Sequence, residues 1–416
     1  CREERIDCAH SRELYRQRNR SGEESLITPS LTNHLPMLDI DIQEFVAHYW
    51  QKKPCLLRNA LSGFESGVSP EELAGLACEE DVHCRLVLEG SEEKPWTVRY
   101  GPFEEQDFLD LPVSNYSLLV SECEKWMPEL NDLLDQFRFI PDWRIDDLMI
   151  SYAPAGGSVG PHVDQYDVFL LQALGTRRWQ YCDSMSQDEP VIPGLELAIL
   201  QDFQPDQDVV LNPGDILYLP PGYAHHGVAL ERCMTYSIGF RAPNATSVLE
   251  SFTLESEQLG ESVERYRDTD LELERHHAEI TDTEIARFRE MVNRLLDQSP
   301  ELWRDAIGKL LSDSAVATPD EIDPQPVYLS DLQSSSWIRH PESRILYHRS
   351  AQTIEVYYNG HVHRLPQQPE ILEQLQKLCE NYEWSAELIR ESIAIESLGN
   401  LLIELATNQA ILPIDD

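Results

Sequence analysis

The chain lacks the features that mark membrane proteins and disulfide-rich proteins. No run of apolar residues approaches the roughly 18 that a membrane-spanning helix needs. The nine cysteines are dispersed between Cys1 and Cys379, and none of them forms a C-x-x-C pair. Scattered thiols in an odd number suit a reducing compartment, and the first residues show no apolar signal-peptide core. We therefore expect a cytoplasmic protein that has no disulfide framework and does not bind a membrane.

Basic residues are scarce in this chain. The sequence has 33 Lys and Arg against 74 Asp and Glu, which gives a formal net charge of −41. A field of this sign repels the phosphates of nucleic acids and attracts basic proteins, although acidity also serves solubility alone. Direct binding of nucleic acid is therefore not expected, and a basic protein is the partner that the charge favours.

Shifts in composition divide the 416 residues into segments, in keeping with a length of several domains. Charges balance up to residue 36, strand-like runs end near Pro243, and a Pro-rich stretch begins at Thr318. The predicted organisation is a flexible extension at 1–36, a catalytic domain at 37–244, a helical connector at 245–318 and a winged-helix-like α+β module at 319–416.

The segment between Trp143 and Ala242 is made of short β-rich runs that are punctuated by Gly and Pro. Many short strands with turn signals at this spacing predict an antiparallel barrel or jelly roll. The runs are IDDLMISYA, DVFLLQAL, RRWQYC, DVVLN, DILYLP, HGVAL and MTYSIGF. Before this segment, apolar spacing predicts helices over 42–50, 71–78 and 117–138.

The carboxy-terminal part of the sequence is predominantly helical. Thr281 and Glu284 form a capping-box pattern ahead of an amphipathic run, whose apolar stripe we expect to form a homodimer contact. Further on, an Asn359-Gly360 turn predicts a hairpin among three helical patterns. This last module carries more acidic than basic residues, so its winged-helix-like pattern does not predict DNA binding.

Two histidines and one carboxylate form the main candidate site. His162 and Asp164, in GPHVDQYD, are two residues apart and therefore lie on one face of a strand. His225, in PGDILYLPPGYAHHG, comes at the end of a later strand, and we choose it over His226 as the third ligand. This set is the facial triad of non-haem Fe(II) oxygenases.

An oxygenase that uses 2-oxoglutarate also needs a buried cation for the distal carboxylate of that cosubstrate. Arg177 follows the metal-binding strand by the length of one hairpin, whereas Arg178 has the opposite strand parity. Arg177 is therefore the candidate, and the alternative is a salt bridge at the barrel rim.

Residues 137–244 resemble the JmjC-type ribosomal oxygenases of bacteria, in IPDWRIDDLMISYAPAGGSVGPHVDQYDVFLLQALGTRRWQY and in PGDILYLPPGYAHHGVAL. The resemblance implies a double-stranded β-helix (a cupin-like jelly roll), a dimerisation helix region and a winged-helix module. It also implies that His162, Asp164 and His225 bind iron and that Arg177 and Ser151 bind 2-oxoglutarate. The reaction implied is hydroxylation of an arginine side chain in a large-subunit ribosomal protein, with Fe(II) as cofactor and O₂ as second cosubstrate.

Strand parity adds candidate substrate-binding residues to this site. Asp147, Met149 and Ser151 share one face of a strand, and so do Thr235 and Ser237. We expect Asp147 to bind a substrate guanidinium, Met149 and Tyr166 to contact its methylenes, and Ser237 to hydrogen bond to it. For Met149 and Ser237, plain barrel packing is the alternative.

The residues leave several functions open. A histidyl hydroxylase or a demethylase would use the same iron chemistry, and a cupin with another metal would need no 2-oxoglutarate. A non-catalytic adaptor with a vestigial barrel is the alternative outside enzymology, and the intact triad with Arg177 argues against it.

Overall fold

Antiparallel strands build the part of the chain up to Ala242. The computed structural model describes residues 36–414, apart from 92–93, 187–188, 259–263, 270–277, 298–299 and 314–326. The described chain separates into two units at Ala242. The strands of the first unit are β1 (Cys55–Leu57), β2 (Cys84–Ser91), β3 (Lys94–Tyr100), β4 (Tyr116–Val120), β5 (Ile145–Ala153), β6 (His162–Val163), β7 (Asp167–Leu174), β8 (Arg177–Tyr181), β9 (Gln207–Leu211), β10 (Ile216–Leu219), β11 (Ala224–Ala229) and β12 (Cys233–Phe240).

These strands form two antiparallel sheets. The larger sheet has the order β1-β10-β7-β12-β5-β4-β2-β3, and the smaller one has the order β6-β11-β8-β9. The predicted double-stranded β-helix is confirmed, since the strands expected between Trp143 and Ala242 all form. The structure adds β2 and β3, which lengthen the larger sheet and which the sequence did not predict.

Side-chain alternation separates an apolar layer from a polar one at the centre of the larger sheet. Tyr236 and Ile238 of β12 belong to the main hydrophobic core, together with Leu148 and Ile150 of β5. The residues between them have the opposite parity and therefore face the other side of the sheet, toward the barrel interior. On β5 and β12 these alternate positions are occupied by Asp147, Met149, Ser151, Thr235 and Ser237.

Short helices cover the apolar side of the larger sheet. They are α1 (Ile42–His48), α2 (Pro70–Leu76), α3 (Glu105–Leu109), α4 (Cys123–Trp126) and α5 (Asn131–Leu134). The single helix predicted over 117–138 is wrong at its start, because Tyr116–Val120 is a strand with every residue buried. A continuous apolar run of this length fits a buried strand as well as a helix, and periodicity alone does not separate them. The rest of the range forms short helices, which include α4 and α5.

The second unit begins at Pro243 and combines helices with two three-stranded sheets, β17-β13-β18 and β14-β15-β16. Its helices are α6 (Ala245–Gln258), α7 (Asp282–Leu296), α8 (Pro300–Ser312), α9 (Leu329–Ser334), α10 (Pro369–Glu380), α11 (Ala386–Ile393) and α12 (Glu396–Thr407). Its strands are β13 (Ser336–Arg339), β14 (Ile345–Arg349), β15 (Thr353–Tyr358), β16 (His361–Pro366), β17 (Glu383–Trp384) and β18 (Ile411–Ile414). The predicted hairpin turn lies at Asn359-Gly360, where both residues have positive φ.

Helix α8, in the predicted connector, packs on the sheet of the predicted terminal module. Asp305 accepts a hydrogen bond from Tyr357 of β15 at 3.3 Å, and it also pairs with Arg364 of β16. The boundaries predicted near residues 36 and 318 stay predictions, because 1–35 and 314–326 lie outside the described residues. Within the described residues, no helix is both long and apolar enough to span a membrane.

Candidate active site

His162 and His225 face each other across a pair of adjacent strands. They are directly opposite in the antiparallel register of β6 and β11, and their ring centroids are 4.3 Å apart. Each Nδ1–H donates to the carbonyl two residues earlier, from His162 to Gly160 at 2.9 Å and from His225 to Tyr223 at 3.0 Å. These bonds fix the tautomer of both rings and leave each Nε2 with a free lone pair.

Asp164 completes a cluster of three potential metal ligands. Its carboxylate oxygens lie 3.8 Å from Nε2 of His162 and 3.5 Å from Nε2 of His225. Within the described residues this is the one group of His, Cys, Asp and Glu side chains whose ligand atoms could hold a metal ion, and those atoms lie within 4.8 Å of one another. Imidazole nitrogens and a carboxylate oxygen are suitable donors for a divalent transition metal, so the residues fit such an ion.

Desolvation keeps His225 neutral, as a histidine that binds a metal must be. Burial, with a contribution from His162, lowers the pKa of His225 to about 4. His226 follows on β11 and lies outside the cluster, since its Nε2 is 3.0 Å from the hydroxyl of Ser158. Burial and the nearby Arg177 lower the pKa of His226 to about 4.

Arg177 is buried in the barrel interior without an acidic partner. Only 3% of the residue is exposed, and within the described residues its guanidinium makes no ion pair. Its Nη1 donates to the hydroxyls of Ser151 and Thr235 at 3.4 Å, while its Nε is buried without a hydrogen-bond partner. Burial lowers its pKa, yet a guanidinium stays charged. An unpaired buried cation of this kind is suited to bind a carboxylate.

The neighbouring Arg178 behaves as strand parity predicts. It lies on the outer face of β8, where its Nε donates to Asp208 at 2.7 Å. Of the two adjacent arginines, only Arg177 therefore reaches the barrel interior.

Gln172 and Trp179 were not among the predicted site residues, and strand parity placed Thr235 on the site face without a role. Thr235 donates to the amide oxygen of Gln172 at 3.3 Å, and Trp179 lies 5.1 Å from the Arg177 guanidinium. Gln172 interrupts the apolar run that follows Asp167 on β7, and Trp179 shares the strand parity of Arg177. Both of these signals are visible in the sequence.

The predicted substrate residues lie further along the same polar face. Met149 is directly opposite Ser237 across β5 and β12, in the same register that places Ser151 opposite Thr235. One step beyond, Asp147 accepts a hydrogen bond from the backbone N–H of Glu122 at 3.3 Å. Burial and the neighbouring Asp146 raise the pKa of Asp147 to about 6.

Tyr166 lies near both the triad and Asp147. It is 42% exposed, more than any other predicted site residue. Desolvation, together with the carboxylates of Asp164 and Asp147, raises the pKa of its hydroxyl. The structure therefore brings all of the predicted site residues to one region of the barrel.

Several known proteins are similar to this chain in sequence and in fold. The JmjC domain family matches residues 132–248. The chain is 36% identical to the ribosomal protein uL16 3-hydroxylase of Escherichia coli K12 over 378 residues, which cover 89% of this chain and 97% of that protein. This chain belongs to the JmjC-domain ribosomal oxygenases. The resemblance found in the sequence is thereby confirmed, and so is the assignment as an oxygenase.

Other relatives of this oxygenase agree with the assignment. The probable ribosomal oxygenase of Haemophilus influenzae is 44% identical over 213 residues, which are 50% of this chain and 52% of that protein. The structure of YcfD, a ribosomal oxygenase from Escherichia coli in complex with cobalt and 2-oxoglutarate, matches with a TM-score of 0.76 and 34% identity. That match covers 91% of this chain and 99% of YcfD.

Proposed function

We propose that this oxygenase depends on Fe(II) and 2-oxoglutarate and hydroxylates an arginine side chain of ribosomal protein uL16. The observation that carries the proposal is a His–Asp–His cluster in the same barrel as a buried arginine that has no acidic partner among the described residues. The name of the Escherichia coli relative supports the substrate, and the cobalt and 2-oxoglutarate complex of YcfD supports the cofactor set.

In this proposal His162, Asp164 and His225 hold the metal. When bound, Fe(II) together with 2-oxoglutarate and O₂ supplies the oxidation of a C–H bond, with release of succinate and CO₂. Arg177 pairs with the distal carboxylate of the cosubstrate, and the hydroxyls of Ser151 and Thr235 add hydrogen bonds to it. These groups orient the cosubstrate within the barrel.

Asp147, Met149, Tyr166 and Ser237 orient the substrate side chain. The ionised carboxylate of Asp147 pairs with a guanidinium, while Met149 and the Tyr166 ring contact the methylenes. A neutral imidazole would gain less from Asp147, so this residue favours arginine over histidine as the substrate side chain.

The test incubates the purified protein with Fe(II), 2-oxoglutarate and uL16, beside a His162→Ala control. We expect one added oxygen atom on one arginine, absent in the control, as read from fragment mass spectra. Turnover of 2-oxoglutarate without that modification would reject the substrate, and the absence of turnover would reject the oxygenase proposal. An oxygen on histidine, or the loss of a methyl group, would support the alternative reactions.

We also propose that the protein is a cytoplasmic homodimer that uses helix α7. Ile285, Phe288 and Val292 on this helix are 47–49% exposed, and no residue of the helix is buried. An apolar face of this kind suits contact with a second copy. Light scattering on the wild type should give the mass of a dimer, and Ile285→Glu with Val292→Glu should give a monomer.

A further inference from the structure

His162 is held by very little regular structure. Strand β6 has only two residues, and it is an edge strand that pairs with β11 alone. A short edge ladder constrains a side chain weakly, because few hydrogen bonds fix its backbone. The backbone bonds from Leu200 to Pro161 and from Gly222 to Asp164, both 2.8 Å, hold the segment on either side.

Ser158 provides a further restraint on this segment. Ser158 is 98% buried, and its hydroxyl accepts a hydrogen bond from the backbone N–H of Gly160 at 3.1 Å. The carbonyl of the same Gly160 accepts the Nδ1–H of His162. Gly160 has a φ of +81°, and a Cβ there would lie 2.8 Å from Ile199, so this turn requires glycine and a defined geometry.

The same hydroxyl also reaches the strand that carries the other histidine. Nε2 of His226 lies 3.0 Å from the Ser158 oxygen, and His226 is adjacent to His225 on β11. The edge of the Phe203 ring packs against His226, with centroids 6.1 Å apart and planes at 85°. One buried hydroxyl therefore joins the turn that orients His162 to the strand that carries His225.

We propose that Ser158 and His226 are positioning residues that hold the two histidine ligands in a common geometry for the metal. This inference rests on the proposed metal site and assigns a role to residues outside it. Groups that orient metal ligands typically change metal affinity by about 10- to 100-fold when they are removed. Ser158 acts through the backbone of Gly160, so we expect the lower end of that range.

The test is titration with Co(II), followed by visible absorbance and calorimetry. We expect Ser158→Ala to weaken Co(II) binding by about 10-fold, with a changed absorption spectrum of the bound ion. Ser117→Ala is the matched control, because in the part of the chain that the structure describes the Ser117 hydroxyl donates only to the carbonyl of Ser158. Thermal unfolding of each variant separates a loss of fold from a loss of affinity.

A pair of variants at position 226 makes the test independent of Ser158. His226→Leu should weaken Co(II) binding, whereas His226→Gln should restore it, because the Gln amide nitrogen takes the place of Nε2. The positioning role is rejected if Ser158→Ala and His226→Leu both bind Co(II) within twofold of the wild type. It is also rejected if Ser117→Ala weakens binding equally. Failure of the wild type itself to bind Co(II) would instead overturn the proposed function.

Discussion

Arg177 shows how one side chain can oppose stability and serve binding. A buried guanidinium without an acidic partner has lost its hydration and regains little from the hydroxyls of Ser151 and Thr235. A bound carboxylate would supply the missing charge–charge interaction. The cosubstrate should therefore stabilise the folded protein, since a ligand that binds only the folded state raises its stability.

Replacement of the Arg177 guanidinium should separate its effect on the stability of the fold from its effect on cosubstrate binding. Arg177→Met keeps most of the volume, so we expect a melting temperature at least as high as that of the wild type when no cosubstrate is present. Loss of the charged hydrogen bonds should weaken 2-oxoglutarate binding on the order of 100-fold. Calorimetric titration and thermal unfolding measure the two quantities.

The adjacent arginine provides the control for that experiment. Arg178→Met removes an exposed pair with Asp208 and should leave the affinity for 2-oxoglutarate unchanged. Equal losses of affinity in both variants, or an unchanged affinity in Arg177→Met, would contradict the assignment of Arg177.

Asp147 predicts a pH dependence of substrate binding. The pKa of Asp147 is about 6, so the carboxylate that we propose to pair with the substrate guanidinium is protonated as the pH falls below that value. kcat/KM for the arginine substrate should therefore fall about tenfold per pH unit below about 6. Because the pKa is raised in the folded state, the same group favours folding at low pH and loses that contribution as the pH rises through about 6.

Two variants test whether Asp147 is the group responsible for this pH dependence. Asp147→Asn should remove the acidic limb from the profile of kcat/KM against pH and lower its plateau. Asp146→Asn should only move the limb to lower pH, because Asp146 is an exposed neighbour that raises the pKa of Asp147. An unaltered limb in Asp147→Asn would show that another group is responsible.

At the level of elements, the two glycines in helices α8 and α12 distinguish a site without room for a side chain from a site with room for a methyl group. A Cβ on Gly308 of α8 would lie 2.4 Å from the ring of Tyr357 on β15. A Cβ on Gly399 of α12 would meet its nearest atom, on Leu329, at 3.4 Å. The absence of a side chain at Gly308 therefore lets α8 lie against the three-stranded sheet.

Alanine at these two positions should have opposite effects. Gly308→Ala should lower the free energy of unfolding by about 1–3 kcal/mol, because the added methyl forces the helix away from Tyr357. Gly399→Ala should leave it unchanged or raise it by up to about 1 kcal/mol, since alanine favours the helix. Urea denaturation measures both, and equal stability of the two variants would contradict the packing of α8 on this sheet.

For the whole molecule, the net charge of −41 should increase the rate at which a basic substrate protein associates with the enzyme. A strongly acidic protein attracts a basic ribosomal protein at long range, and salt screens that attraction. kcat/KM for the proposed substrate, intact uL16, should therefore fall about tenfold or more between low salt and about 0.5 M salt, with little change in kcat. A short substrate peptide of zero net charge should show a much weaker dependence, and equal salt dependence of the two substrates would remove this role for the charge.

The sequence by itself determined the barrel strands, the candidate triad and the inward parity of Arg177, because each depends on local order along the chain. Two-residue alternation places Arg177 and Arg178 on opposite faces of β8. His162 and Asp164 are close in sequence at the end of β6, although this strand stops at Val163 and Asp164 follows it. The choice of oxygenase chemistry follows from those residue types.

Only the tertiary structure decided which elements meet and how each group is surrounded. Tyr116–Val120 is a strand because partners on both sides complete its hydrogen bonds, and no local pattern reveals those partners. The lack of an acidic partner for Arg177 and the two contacts of the Ser158 hydroxyl depend on segments far apart in sequence. Burial and charge are properties of the folded surroundings, so the pKa of Asp147 and the restraint on His162 follow from packing.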